Sequence, residues 1–210
     1  VDENKSVDLF SDEFIAELDA VKMPITKFNA LLKLLRKAIS SYGRTNKVKA
    51  QEFDERLRSV VEAYNSRDKL VFTSEVVADF VNDLSDQLLQ ILKDLQQDKT
   101  SFEKLGISFE EKAFYDILMA LRDEYNFAYG EDKLVDGVMV NSKCKVLAQK
   151  IKEIIDTKSS FADWLNNQIV RDQLKFDIKV CLIKNGYPPQ YSPEVFCKVM
   201  EQVENFEENN

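Results

Sequence analysis

Apolar residues recur at helical spacing along most of this chain, and the pattern is strongest between positions 163 and 189. This spacing predicts one amphipathic helix. Its apolar positions are Leu165, Ile169, Leu174, Ile178, Cys181 and Leu182. Four further apolar residues widen the stripe, so we expect the helix to be buried on more than one side. They are Val170, Phe176, Val180 and Ile183. We expect Asn185 and Gly186 to end the helix, because glycine takes the left-handed C-terminal conformation without a Cβ penalty.

A row of basic residues runs along the same predicted helix. Arg171, Lys175 and Lys179 recur every four residues, which places them on one side of a helix. We expect these cations to be at least partly exposed. Asp172 and Asp177 lie on the same helix and dilute the positive charge of the row.

The helical pattern continues on both sides of this segment. The predicted helices cover residues 12–21, 26–42, 46–65, 74–97, a segment from 109, 142–157 and a segment from 193. Ser108 and Glu111 have the spacing of a capping box at a helix start, and Asn141 or Ser142 caps a later helix. We expect the acidic end at 204–210 to fray.

The fold class follows from this pattern and from the composition. The 210 residues are 44% hydrophobic and include only 5 glycines and 4 prolines, which favours an all-α multi-helix bundle. Residues 125–140 hold Gly130 and Gly137 and alternate weakly, so we expect a loop or a short β-hairpin there. This stretch divides the chain into a helical part at 1–124 and a second part at 141–210, or interrupts one continuous domain.

Charge is distributed unevenly along the chain. The net charge is -8, yet positions 22–51 contain eight basic residues and no Asp or Glu. The remainder therefore carries -16, since -8 minus +8 is -16. The basic residues are Lys22, Lys27, Lys33, Arg36, Lys37, Arg44, Lys47 and Lys49. Clustered cations of this kind neutralise DNA phosphates. The alternative is a solvated helix face that acidic neighbours balance.

No catalytic constellation is visible in the sequence. There is no histidine, the three cysteines lack metal-ligand spacing, and no glycine-rich phosphate loop is present. The adjacent pair Glu110 and Glu111 is explained by the preference of acidic residues for helix starts. We therefore expect neither catalysis nor a cofactor in this chain. We expect free, buried thiols in a reducing cytoplasm, no membrane span and, since the first residue is Val1, a longer parent polypeptide.

Two aromatic residues are candidate anchors of a protein interface. Trp164 is the only tryptophan, and Tyr187 precedes two prolines. Exposed aromatic side chains of this type dominate binding hot spots. The alternative for both is a place in the hydrophobic core.

Several blocks of residues resemble the C-terminal region of the restriction-and-motor (R) subunit of type I restriction enzymes. The first block comprises Asp163-Trp164, Val170-Arg171, Leu174, Ile178, Leu182 and Gly186-Tyr187-Pro188-Pro189. The second comprises Leu105-Gly106-Ile107-Ser108, Glu110-Glu111 and Ala113-Phe114-Tyr115-Asp116. Upstream similarity covers residues 10–14 and 46–57. One departure is Asn167-Gln168, where the family usually has Arg-Glu.

The resemblance implies a function for the parent polypeptide. R subunits of this family are ATP- and Mg²⁺-dependent DNA translocases and endonucleases, and their catalytic motifs lie upstream of the region matched here. It implies that this chain is a non-catalytic, cytoplasmic assembly module that docks on the methyltransferase subunit and contacts double-stranded DNA. Its DNA-binding residues would be the eight basic residues of the 22–51 window together with Arg171, Lys175 and Lys179. A stand-alone helical protein-interaction adaptor is the alternative, and an all-α enzyme that works through carboxylates is a third class.

Overall fold

The computed structural model describes residue 16 and residues 20–67, 74–159 and 167–209. Within these ranges the structure is helical apart from one hairpin, which confirms the predicted fold class. The N-terminal helices are α1 (Pro24–Gly43), α2 (Lys47–Asn65), α3 (Ser74–Thr100), α4 (Phe102–Leu105) and α5 (Phe109–Glu124). There follow strands β1 (Asp132–Val135) and β2 (Val138–Asn141), and helices α6 (Ser142–Ser159), α7 (Gln168–Lys184) and α8 (Pro193–Asn209).

The chain forms two compact units. The first unit comprises Val1–Ser41 and Ala50–Asp98, and the second comprises Tyr42–Lys49 and Lys99–Asn210. The hairpin region, in which the sequence places an internal boundary, lies inside the second unit.

The first unit is built around the buried faces of α1, α2 and α3. The Phe28 ring of α1 stacks on Tyr64 of α2 with ring centroids 4.0 Å apart. Arg56 of α2 donates to Asp94 of α3 at 2.5 Å, and this bond holds the pKa of the Asp94 carboxyl below its usual value. The fully buried residues of this unit include Phe28, Leu31, Leu35, Leu88, Leu92 and Leu95.

The second unit has one continuous core. Helix α6 packs against α5 and α7, and α5 also packs against α8. Tyr187, in the turn after α7, is fully buried, and its hydroxyl donates to the backbone oxygen of Leu118 at 2.7 Å. The core residues of these helices include Phe114, Leu118, Leu147, Ile151, Ile178, Leu182, Val199 and Val203.

Local sequence signals begin and end the helices of this unit as predicted. The Ser108 hydroxyl accepts from Glu111 N at 3.0 Å, and Ser108 N donates to the Glu111 carboxylate at 2.8 Å, which completes the capping box. Asn141 caps α6, because its side-chain oxygen accepts from Cys144 N at 3.0 Å. Gly186 follows α7 with a φ of 68°, the left-handed conformation that glycine favours.

The hairpin confirms the short β element and shows why it forms. Asp136 and Gly137 connect the strands with φ values of 49° and 79°, as a two-residue hairpin turn with positive φ requires. At the base of the hairpin, the Asn141 amide donates to Tyr129 O at 2.8 Å and to Asp132 at 2.9 Å. Gly130 lies against this amide, and a Cβ there would be 2.6 Å from the Asn141 side-chain oxygen. The close approach therefore requires glycine.

Three expectations about the helices need correction. Helix α7 is buried on one side only, since Ile169, Phe176 and Ile183 are 81%, 61% and 53% exposed. Helix α8 does not fray from Glu204, because Phe206 is buried and its ring lies 5.4 Å from that of Phe114. Residues 98–105, which lie outside the predicted helices, instead form the end of α3 and the short helix α4. The predicted helix at 12–21 falls largely outside the described residues.

Candidate nucleic-acid interface

The candidate interface is centred on the exposed side of α1. Lys33, Arg36 and Lys37 occur at relative positions 0, 3 and 4, so they share one helix face. All three are exposed, while their neighbours Leu34 and Leu35 are buried. The helix therefore directs its apolar face into the first unit and its cations into solvent.

This trio, Lys33, Arg36 and Lys37, is also free of acidic counterions in the part of the chain that the structure describes. No ion pair there joins any of the three to a carboxylate. Ser40 and Ser41 extend the exposed polar face towards the end of α1. A phosphate group that approaches this face would meet cations already in place.

The remaining cations of the 22–51 window have different environments. Lys27 is buried, and its ammonium lies 3.8 Å from Asp86. Lys27 precedes the core residue Leu31 by one helical turn and therefore lies on the same side of α1. Lys47 lies 3.7 Å from Glu201. Of the others, Lys22 and Arg44 are exposed and Lys49 is half-buried.

The basic row on α7 is largely occupied by contacts within the second unit. Lys175 pairs with Glu204 of α8 at 2.6 Å. The Lys179 ammonium lies 5.5 Å and 5.7 Å from the ring centroids of Tyr191 and Phe196, a cation–π arrangement. Arg171 is half-buried. The expectation of partial exposure for this row is therefore confirmed, but Lys175 already has a counterion.

The structure describes only one of the two predicted interface anchors, Tyr187. Tyr187 is a core residue, because its ring is fully buried and burial raises the pKa of its hydroxyl. Its predicted interface role is corrected to the alternative of a core position. Trp164 lies outside the described residues.

The cysteines show only part of the predicted burial. All three are free thiols, and burial raises the pKa of Cys144 to about 12. Cys181 is half-buried and Cys197 is exposed, which corrects the expectation that all three lie in the core. Among residues 20–67, 74–159 and 167–209, no group of three or more His, Cys, Asp or Glu side chains is placed to hold a metal ion. No helix in these ranges is long and apolar enough to cross a membrane.

One polar cluster in the second unit was missed by sequence reasoning. Lys112 and Asp116 form a buried ion pair on α5, and the Asn46 amide donates to Asp116 at 2.7 Å. The Tyr42 hydroxyl lies 3.4 Å from the Lys112 ammonium. The four-residue spacing of Lys112 and Asp116 signals a helical ion pair, but it does not signal burial.

These observations define an all-α module with a cationic helix face. A family model described as type I restriction enzyme HindI endonuclease subunit-like, C-terminal, matches residues 2–209, and the chain belongs to this family.

Two curated relatives agree with this assignment. The type I restriction enzyme HindI endonuclease subunit of Haemophilus influenzae is 27% identical over 208 residues, which cover 97% of this chain and 17% of the relative. The type I restriction enzyme MjaIXP endonuclease subunit of Methanocaldococcus jannaschii is 26% identical over 184 residues, which cover 88% of this chain and 16% of the relative. The chain thus spans about one sixth of the length of both relatives. No solved structure matches it.

Proposed function

We propose that this chain is a non-catalytic assembly module of a type I restriction enzyme motor subunit. It docks the motor on the methyltransferase subunit and contacts double-stranded DNA without sequence preference. In this proposal the parent polypeptide is an ATP- and Mg²⁺-dependent DNA translocase and endonuclease, and its catalytic groups lie outside this chain. Membership of the C-terminal endonuclease-subunit family supports the assignment of the parent.

The observation that carries the DNA contact is the exposed trio on α1. Lys33, Arg36 and Lys37 project into solvent from one helix face in a chain whose net charge is -8. Clustering basic side chains on one face does not make an acidic protein more soluble, whereas neutralisation of neighbouring phosphates requires clustered cations. Because phosphate contacts provide affinity but no sequence information, the binding is non-specific.

The DNA contact is tested by fluorescence anisotropy of a labelled duplex at several salt concentrations. We expect weak binding, with a dissociation constant of roughly 10⁻⁴ to 10⁻⁶ M, and a log–log salt slope of about -0.9 per phosphate neutralised. Replacing Lys33, Arg36 and Lys37 together by Glu should weaken binding and flatten this slope. The fold should survive, because all three side chains are exposed.

The matched control has the same charge change on exposed lysines elsewhere. It replaces Lys93, Lys104 and Lys133 by Glu, which lowers the net charge equally but leaves α1 intact. We expect the control to retain most of the binding and the wild-type salt slope. Equal loss in both triple variants would show that only net charge matters and would remove α1 from the interface.

A second prediction concerns catalysis. The purified chain should hydrolyse neither ATP nor duplex DNA in the presence of Mg²⁺, because its sequence holds no phosphate-binding loop and no histidine. Phosphate release and plasmid cleavage are the measurements. Turnover that a point mutation in this chain abolishes would contradict the non-catalytic assignment, and a mock purification from cells without the chain is the control.

A further inference from the structure

Helix α7 has two apolar faces, and only one of them is covered. Leu174, Ile178 and Leu182 are buried in the core of the second unit. On the opposite side lie the three exposed residues described above, Ile169, Phe176 and Ile183, which we call the α7 stripe. At 3.6 residues per turn, the members of the stripe point within about 40° of one another and roughly opposite to Ile178.

The spacing within the α7 stripe is that of a helix-pairing surface. Phe176 follows Ile169 by seven residues, and Ile183 follows Phe176 by seven more. A seven-residue apolar repeat keeps one face against a second helix. Scattered exposed apolar residues are ordinary on protein surfaces, but these three large residues are aligned along one side of a single helix.

The stripe is also symmetric about its centre. An isoleucine lies seven residues on each side of Phe176, so a two-fold axis through Phe176 brings Ile169 of one copy against Ile183 of the other. A two-fold interface requires such self-complementarity, because the same surface meets itself.

The charges beside the stripe obey the same symmetry. Asp172 and Lys179 are seven residues apart and therefore lie on the same flank. Asp172 precedes Phe176 by about 6 Å along the helix axis and Lys179 follows it by about 4.5 Å, at 1.5 Å per residue. In an antiparallel pair, each Asp172 thus lies beside Lys179 of the other copy. In a parallel pair, this flank of one copy would face the opposite flank of the other, so Asp172 and Lys179 would not meet.

We propose that the α7 stripe is a self-association surface, on which a second copy of this chain packs its own α7 in antiparallel orientation. Lys179 has no carboxylate partner among the described residues, and its ammonium lies over the Tyr191 and Phe196 rings. Among the same residues, Asp172 accepts a hydrogen bond only from the neutral Gln168 amide. Both charges are thus available to the other copy. On the opposite flank, Asp177 is already paired with Lys158 at 3.1 Å.

The pairing is expected to be weak. One helix face of 17 residues is small beside the roughly 1,200–2,000 Å² that stable interfaces bury. The expected dissociation constant lies between about 10 µM and 1 mM. Self-association would therefore become significant only at a high local concentration of the chain.

Sedimentation velocity of the 210-residue chain over a range of concentrations tests the proposal. We expect a reversible monomer–dimer equilibrium, and Phe176→Glu or Ile183→Glu should weaken it at least about tenfold. Both side chains are exposed, so circular dichroism should show an unchanged helical fold. The matched control is Met139→Glu, which places the same charge on a 53% exposed apolar residue of the hairpin and should leave the dimer intact.

Charge exchange then tests the antiparallel orientation. Asp172→Lys and Lys179→Asp should each weaken the dimer, because each variant places like charges beside one another, and the double variant should restore it. A 24.3 kDa monomer at every concentration up to about 1 mM overturns the proposal. The proposal is also overturned if the dimer survives Phe176→Glu, or if Met139→Glu weakens the dimer equally. It is likewise overturned if the double variant does not restore the dimer, or if the stripe binds only a different protein.

Discussion

Replacing Lys112 by alanine should lower the free energy of unfolding of this chain by about 3–5 kcal/mol. The ammonium group of Lys112 is buried on α5 with the Asp116 carboxylate, and the two residues are 2% and 8% exposed. Removal of the lysine leaves the Asp116 carboxylate buried without its ammonium partner, while the Asn46 amide still donates to it at 2.7 Å. An uncompensated buried charge is among the most destabilising changes that one substitution can make.

Urea denaturation followed by circular dichroism measures this loss. Lys104→Ala is the matched control, because Lys104 is an exposed lysine on α4 and its loss should change the unfolding free energy by less than about 0.5 kcal/mol. The double variant Lys112→Met with Asp116→Leu should be more stable than Lys112→Ala, since it removes both charges together. A double variant that is as unstable as the single one would show that the polar contacts themselves, rather than charge balance, hold this region.

The second large effect is a dependence of stability on pH that arises from Glu207. This residue of α8 is 8% exposed, and its Oε1 has no hydrogen-bond partner in the described structure. Burial raises the pKa of the Glu207 carboxyl to about 7 from its ordinary value of 4.5. Arg171 and Lys175 of α7 oppose this rise, while Glu204 and Glu208 reinforce it.

The sign of the effect follows from proton binding. Between pH 4.5 and 7 the folded chain holds a proton on Glu207 that the unfolded chain has released, so stability falls as pH rises. The resulting loss of unfolding free energy is about 3 kcal/mol. It is complete above pH 7 and absent below about pH 4. Glu207→Gln cannot ionise, so this variant should lose that part of the pH dependence. Relative to the wild type, its advantage should be small at pH 4.5 and grow to about 2–3 kcal/mol at pH 8.

Thermal or urea unfolding at pH 4.5, 6 and 8 provides the measurement. Glu194→Gln is the matched control, because Glu194 is an exposed glutamate on the same helix and is not among the groups that shift the pKa of Glu207, so this variant should keep the wild-type pH profile. Identical profiles for Glu207→Gln and the wild type would mean that the Glu207 carboxyl titrates normally.

Local signals in the sequence were sufficient to predict the all-α class, the hairpin and the main helix ends. Ser108 and Glu111 form their predicted capping box, and Gly186 takes the predicted left-handed conformation after α7. These features depend on residues within four positions of one another, so the sequence contains all of the partners. The missed extension of α8 is different, because its stability comes from the Phe206 contact with Phe114 on another helix.

The candidate site could be predicted only in outline. The sequence places Lys27 and Lys33 in one basic window, yet the first is buried near Asp86 and the second is exposed. Tyr187 was a candidate anchor and is a core residue, whereas Phe176 was expected in the core and is exposed.

What the sequence determined by itself is therefore the set of helices, their apolar periodicity and the separation of a basic window from an acidic remainder. The tertiary structure alone decided which apolar face of α7 is covered, which cations reach solvent and which polar groups, such as Lys112 and Glu207, are removed from water. The physical reason is that periodicity defines the faces of a helix, while burial depends on which distant segments pack against each face, and a local pattern contains no information about them.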